Sequence, residues 1–503
     1  RIKPIRCLYQ VRLGVVLTEA AAEVGGRAPA PVHVRVVPVR APAADDRLTM
    51  IDWWGQLTRW WQKNRRINPP GAGVYHFERA EDGSQTRIHL RLEADGRGLL
   101  LVNANHAYHL NPSAALMAYL ALRKVSSTQA AGTLTRAYNL PRAQAAADYA
   151  AFGEQLEALI QPNGPCPICE LELDTMMPFS AQLSAPYRMD LALTYRCNND
   201  CAHCYNARPR NHPELSTEQW KTILDKLWAL GIPHIVFTGG EPTLRPDLPE
   251  LIAHAEHNGQ ITGLNTNGRR LKDPHLLQRL LDAGLDHVQI TVESHDPVVH
   301  DAIVCSPGAW EDTIAGVKNA LASRLYVMTN TTMLQSNSPY LRETLAFLAE
   351  LGVPTVGLNA LIYSGKGAQV GTGLSAEALP ALLTLARQMT DDHDQRLIWY
   401  TPTQYCHFDP IQMDLGVKGC TAALYNMCVE PDGQVLPCQS YYTSLGSLLT
   451  DPWESIWNHD LAVRLRTRRD LPEACGHCDL LAECGGGCPL EWAVQSPTEV
   501  QGL

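Results

Sequence analysis

From residue 190 onward, short apolar runs alternate with longer amphipathic stretches. The runs at 190–195, 234–238, 261–266, 287–292, 325–331 and 355–361 have the length and content of buried strands. The segments between them repeat apolar residues at helical spacing. The first is the best signalled: Ser216 and Gln219 form a capping box, Trp220, Ile223, Leu224 and Leu227 share a face, and Gly231 ends it. Strands alternating with helices predict a parallel sheet with right-handed crossovers. Six such units are fewer than a closed barrel needs, so the pattern predicts an α/β fold over 190–397. Its core would be a partial (β/α)6 TIM-type barrel, with chemistry at the C-terminal ends of the strands.

Residues 50–160 have another rhythm. Alternation at 74–77 and 87–92 reads as strands, Asp95-Gly96 as a turn, and 98–103 as a returning strand. Asn111-Pro112-Ser113 opens a helix with Leu116, Tyr119 and Leu120 on its apolar face. A second helix over 143–160 aligns Tyr149, Phe152, Leu156 and Leu159. Residues 1–49 are rich in Ala, Pro, Val and Arg and contain no Met, so they read as a flexible or non-native extension with the true start near Met50. An aromatic, helical pattern follows at 53–61, a linker at 161–189 carries Cys166 and Cys169, and a C-terminal region spans 398–503.

Charge narrows the function. The formal net charge of −10 argues against binding through phosphate neutralisation, so no nucleic-acid partner is expected. The longest uncharged apolar run, 114–122, is far short of the roughly 20 residues that span a bilayer. With no secretory pattern in view, a cytoplasmic location without a membrane partner is expected. The 18 histidines show no HxxxH spacing. The 15 cysteines are the abnormal feature, because they cluster. In a cytoplasmic chain such clusters read as metal ligands before disulfides.

Cys197, Cys201 and Cys204 lie on one loop just past the first strand. Three thiolates there can hold three irons of a 4Fe–4S cluster and leave the fourth iron open; a zinc knuckle is the alternative for these cysteines alone. At the end of the second strand, Phe237-Thr238-Gly239-Gly240-Glu241-Pro242 adds glycines that let a ligand approach the backbone. Together the two motifs resemble the radical S-adenosylmethionine (SAM) superfamily, over about 190–397.

That resemblance implies that Cys197, Cys201 and Cys204 ligate the cluster, SAM chelates the open iron, and Gly239, Gly240, Glu241 and Pro242 form the edge that holds its amino group. Electron transfer into the sulfonium would then release a 5′-deoxyadenosyl radical, with flavodoxin or ferredoxin as the kind of donor implied. His203 stands where the family places an aromatic ring near adenine. Thr291 and Glu293 match positions that often carry Ser and Asp toward SAM, and Asn265, Thr266 and Asn267 are expected to line the same cavity. After His300-Asp301 the chain departs from similar sequences, reading Ala302-Ile303-Val304-Cys305, which leaves the SAM carboxylate without an assigned partner.

Further on, Cys420, Gly433 and Cys438 precede Cys475-x2-Cys478-x5-Cys484-x3-Cys488. This spacing resembles the SPASM domain, the auxiliary-cluster extension of radical SAM peptide and protein modifiers. The resemblance implies two auxiliary 4Fe–4S clusters, one on Cys420, Cys438 and Cys488 and another on Cys475, Cys478 and Cys484. Cys406 is the candidate fourth ligand of the first. The family's seventh cysteine follows the Cys488 position and has no counterpart in this sequence. Cys428, Cys166, Cys169, a cysteine beyond the given sequence or an open iron remain alternatives for the second. Two zinc sites are the alternative for the whole set. Asp432-Gly433 reads as the turn of a hairpin that places Cys438 on the returning strand.

The elements of 50–160, with the phrase around 108–116, resemble the PqqD-like peptide-recognition domain, a winged-helix-like fold; an ordinary scaffold or dimerisation domain is the alternative. The combination implies a maturase that captures a ribosomally made precursor peptide and forms a C–C, C–S or C–O bond or small ring in it. Cys305 is a candidate hydrogen donor, as an epimerase would need, or else a small filler. Tyr363 is a candidate acid or else a rim aromatic. Epimerisation, oxidation of Cys or Ser to an aldehyde in a protein, and a non-catalytic zinc-stabilised peptide-binding scaffold are the other readings.

Overall fold

In the computed structural model the described residues are 68–81, 84–103, 106–160 and 183–495, with a two-residue strand pair at 15–16 and 174–175. The remainder of 1–49, the 53–61 stretch, and Cys166 and Cys169 lie outside them. The chain divides into two compact units, one ending near Met176 and the other running from Met177.

In the first unit an antiparallel meander, β1 (Gly73–Glu81), β2 (Ser84–Leu92), β3 (Gly98–Val102) and β4 (His106–Leu110), precedes α1 (Pro112–Leu122), α2 (Ser127–Tyr138) and α3 (Arg142–Ile160). The Asn111 side chain caps α1 by accepting the Ala114 N–H at 2.8 Å. Leu90, Leu100, Tyr108, Leu120, Phe152 and Leu156 meet in one core. Helix α2 went unread in the sequence because its buried face is Ala130, Ala131, Thr133 and Leu134, with little large apolar content to mark it.

The second unit is built on one nine-stranded sheet. The six expected strands are β5 (Arg188–Thr194), β6 (His234–Gly239), β7 (Ile261–Thr266), β8 (His287–Thr291), β9 (Tyr326–Thr332) and β10 (Thr355–Asn359), in parallel sequence order. The capping box at Ser216 starts the helix Thr217–Ala229, whose Trp220, Ile223, Leu224 and Leu227 are buried. Two additions extend the sheet. A seventh parallel strand, β11 (Arg396–Trp399), pairs with β10; four residues behind a polar stretch are too few to show periodicity. At the opposite side β12 (Asn426–Val429) runs parallel to β5 and forms a hairpin with β13 (Val435–Leu436), turning at Gly433 with φ +89°.

Met427, Val429, Leu445, Ile456 and Trp457 join Leu191, Phe237 and Trp220 in a single apolar core. Each such side chain contributes about 1.5–3 kcal/mol by leaving water. Cys428 and the hairpin leading to Cys438 therefore ride on an extension of the barrel sheet. Among the described residues no helix is long and apolar enough to cross a membrane.

Candidate active site

The β5–β6 register shifts between Ala192 and Thr194, where the cysteine loop leaves the sheet. The Gly240 N–H donates to the Thr194 carbonyl at 2.7 Å, and the Glu241 N–H to the Arg196 carbonyl at 2.8 Å. This approach needs glycine. A Cβ on Gly239, whose φ is +134°, would lie 2.2 Å from the Thr194 oxygen, and one on Gly240 would lie 2.4 Å from the Arg196 oxygen.

The strand ends enclose a cavity of about 340 Å³. That is within the range of small-molecule sites. Its lining brings together Cys197, Cys201, Cys204, His203, Gly239, Gly240, Asn265, Thr291 and Glu293 from four separate segments. Gln289, Asn330, Thr332 and Asn359 add a polar wall, tied across by an Asn359 Nδ2 to Asn330 Oδ1 bond of 3.1 Å.

Burial pushes the Cys197 thiol up to about 11, and the Cys201 thiol well above its ordinary value, with the neighbouring Cys204 adding to both. Burial thus disfavours these thiolates, and a cationic group among them is the natural remedy. The donor set is soft, sits on one loop and faces a cavity, which fits a three-thiol cluster with an open position.

The loop is held by residues the sequence reading passed over. Arg269 Nη1 donates to the Asn198 carbonyl at 2.7 Å and to Asn199 Oδ1 at 2.9 Å, and its guanidinium pairs with Asp312. Arg210 donates to the Cys197 carbonyl. From the other side, the Lys366 N–H donates to the Cys204 carbonyl at 2.9 Å. The one local signal was the basic pair Arg269-Arg270 directly after the Asn267-Gly268 turn.

Four positions singled out in the sequence fall elsewhere. The Glu241 side chain is fully buried and outside the cavity lining. Its carboxylate accepts from the Thr243 N–H and hydroxyl, from Thr266 Oγ1 at 2.7 Å and from the Asn267 N–H at 2.8 Å, so it is a strut between the β6 and β7 ends. Pro242 is buried behind it. Cys305 is exposed at the C-terminus of the helix Pro297–Val304, 3.5 Å from the Ala302 carbonyl, and is not in the lining. Tyr363 packs against an apolar group of Ile303, Leu334 and Leu361, likewise outside the lining.

His203 and Glu293 face each other in the cavity, Nε2 to Oε1 at 3.1 Å, and the Thr332 N–H donates to the other carboxylate oxygen at 2.9 Å. Burial pulls the imidazolium down, but Glu293 more than offsets this, so His203 titrates above its ordinary 6.5. A raised folded value stabilises fully below the unfolded value and is lost as pH rises through the folded one. Glu293→Gln should therefore lower Tm more at pH ~6 than at pH ~9. Thermal melts across that window check it; an equal or larger loss at the high end would contradict the pair.

The C-terminal cysteines form two groups. Burial first, and then Cys420 and Cys438, push the Cys488 thiol up, while burial and Cys420 push Cys438 up to about 12. Burial raises Cys475, with Cys484, Cys406 and Cys478 adding their charge. The sequence reading set Cys406 with Cys420, whereas in the structure Cys406 acts electrostatically on Cys475. The Arg468 guanidinium lies between the groups: burial lowers its pKa, and Cys420 and Cys484 act against that. It passes over Gly485, where a Cβ would be 1.5 Å from Nη1. Cys428 is buried with Ala192, Tyr195 and Leu436 in an apolar group.

Residues 191–348 match the radical SAM superfamily, and residues 420–479 match the SPASM iron–sulfur cluster-binding domain. A PqqA peptide cyclase of Xanthomonas campestris pv. campestris (strain 8004) is 30% identical over 326 residues, 60% of this chain and 82% of that protein. The chain belongs to the radical SAM superfamily. It is an enzyme of that superfamily, and the cofactors are SAM and iron–sulfur clusters. Another relative, an AdoMet-dependent heme synthase of Oleidesulfovibrio alaskensis, is 27% identical over 312 residues, 58% of this chain and 80% of that protein. In fold, the chain resembles Streptococcus suis SuiB bound to precursor peptide SuiA, with a TM-score of 0.61 at 16% identity over 80% of this chain and 94% of that one.

Proposed function

We propose that this chain is a radical SAM/SPASM oxidoreductase that modifies a ribosomally made precursor peptide. The observation that carries the reading is the cavity at the strand ends. It joins the thiols of Cys197, Cys201 and Cys204 to the bare Gly239-Gly240 backbone and a polar wall. Bound there, a reduced cluster and SAM supply a 5′-deoxyadenosyl radical.

The chain's own residues do the rest. Gly239 and Gly240 leave backbone polar groups accessible for an amino-acid moiety. His203 and Glu293 offer a charged pair beside it, and Thr291 and Asn265 offer hydrogen bonds. Arg269 and Arg210 keep the thiol loop fixed against the β5 and β7 ends, which serves orientation.

The peptide substrate is supported by the likeness to the PqqA peptide cyclase. The new bond would be C–C, C–S or C–O, within a crosslink or small ring. Epimerisation is disfavoured by the position of Cys305, exposed and outside the cavity lining. A tetrapyrrole substrate is the second reading, favoured by the heme synthase relatives.

The PqqD-like role of the first unit makes the two substrates separable. A peptide added along a strand edge gains main-chain hydrogen bonds, and tethering raises the local concentration of its core to roughly millimolar. Removing the residues before Gly164 should then cut precursor modification by about two orders of magnitude. Uncoupled SAM cleavage should persist, because the cavity lies wholly in the second unit. Mass spectrometry of the precursor beside chromatography of deoxyadenosine reads both, and normal modification by the truncated chain would refute capture by this unit.

A further inference from the structure

The loop after β11 carries the unexpected partner of the C-terminal cysteines. The Tyr405 N–H donates to the Cys484 sulfur at 3.4 Å, and that thiol lies 3.6 Å from the Thr403 carbonyl. Gln404 Nε2 donates to the Gly486 carbonyl at 3.4 Å. The contact is too close for a side chain at Gly487, where a Cβ would stand 2.7 Å from Gln404 Cγ. Residues 403–405 are thus laced to the segment 484–487 from both sides, and Cys406 follows directly. Upstream of that segment the turn at 475–478 is itself tight, with the Cys478 N–H donating to the Cys475 carbonyl at 3.2 Å.

We propose that Cys406, arriving from upstream, is the fourth ligand of the auxiliary cluster held by Cys475, Cys478 and Cys484. This rests on the iron–sulfur reading given above. It reassigns the upstream cysteine from one cluster to the other. Four thiolates satisfy all four irons of a cubane cluster, so the site is closed. A closed site offers no position for a substrate atom, and its role is structural or in outer-sphere electron transfer. Substrate contact, if any auxiliary site makes it, falls to the group of Cys420, Cys438 and Cys488.

Non-additivity in the full chain tests this. Cys406→Ala, Cys475→Ala, Cys420→Ala and the doubles C406A/C475A and C406A/C420A are purified anaerobically and reconstituted. Iron and sulfide per chain and the electron paramagnetic resonance spectra are compared, with Cys406→Ser as a milder variant. The signal of the SAM-binding cluster serves as the control for folding. Cys406→Ala should disturb the spectral component that Cys475→Ala removes. The double C406A/C475A should lose no more iron than C475A, up to about four per chain, whereas C406A/C420A should lose more than either single. Unchanged iron and spectra in both Cys406 variants would overturn the proposal, as would additivity with C475A and none with C420A. Zinc in place of iron and sulfide in the unaltered chain would defeat the functional reading instead. Zinc retention in the same variants would then decide the four-thiol assignment by the same rule.

Discussion

Replacing Cys197, Cys201 and Cys204 together by alanine should abolish SAM cleavage and lower iron by about four per chain. The three thiols share the one cavity that also presents the Gly239-Gly240 edge. The C-terminal thiols lie among other elements, so they cannot substitute. Their clusters and the shared apolar core should survive, leaving a folded protein with auxiliary iron only. Iron analysis, circular dichroism and deoxyadenosine assay together check this. Deoxyadenosine formation by the triple variant would contradict the assignment.

Gly240→Ala should be almost as damaging without touching a ligand. Its Cβ would fall 2.4 Å from the Arg196 oxygen and 2.7 Å from the Tyr195 oxygen, and both are backbone atoms that cannot rotate away. Relief requires the β6 end and the thiol loop to separate, at about 1–3 kcal/mol as for overpacking. A displacement of around an ångström between cluster loop and cofactor edge costs on the order of 100-fold in rate. Iron content should stay near that of the unaltered chain, while SAM affinity and cleavage fall together. Wild-type turnover in Gly240→Ala would show that the edge is not held where it is described.

Much of the site was legible because its signals are local. The thiol loop and the Gly-Gly turn each sit at a strand end, and alternating apolar runs locate strand ends well. What stayed hidden depends on distance along the chain. Arg269 reaches Asn198 across 71 residues, and the basic pair it forms with Arg270 does not say where it reaches. The resemblance set Glu241 on the cofactor edge, and nothing local showed that its carboxylate also braces Thr243, Thr266 and Asn267. Cys406 was assigned by order in the sequence, yet the loop after β11 folds toward Cys484. That strand was itself unread, so the path of the loop could not be followed. Cys305 was read as a candidate hydrogen donor or a small filler, whereas the fold leaves it exposed at a helix C-terminus and outside the cavity lining.

Under the function proposed, a radical formed in the cavity at the strand ends takes a hydrogen atom from a peptide. A precursor encoded beside this chain, made with perdeuterated residues in its core, reads that event directly. Incubated anaerobically with the reconstituted full chain, SAM and a reductant, it should yield singly deuterated 5′-deoxyadenosine and a modified peptide in matching amounts. Deoxyadenosine that carries no deuterium while SAM is consumed, with the peptide unaltered, would contradict the account.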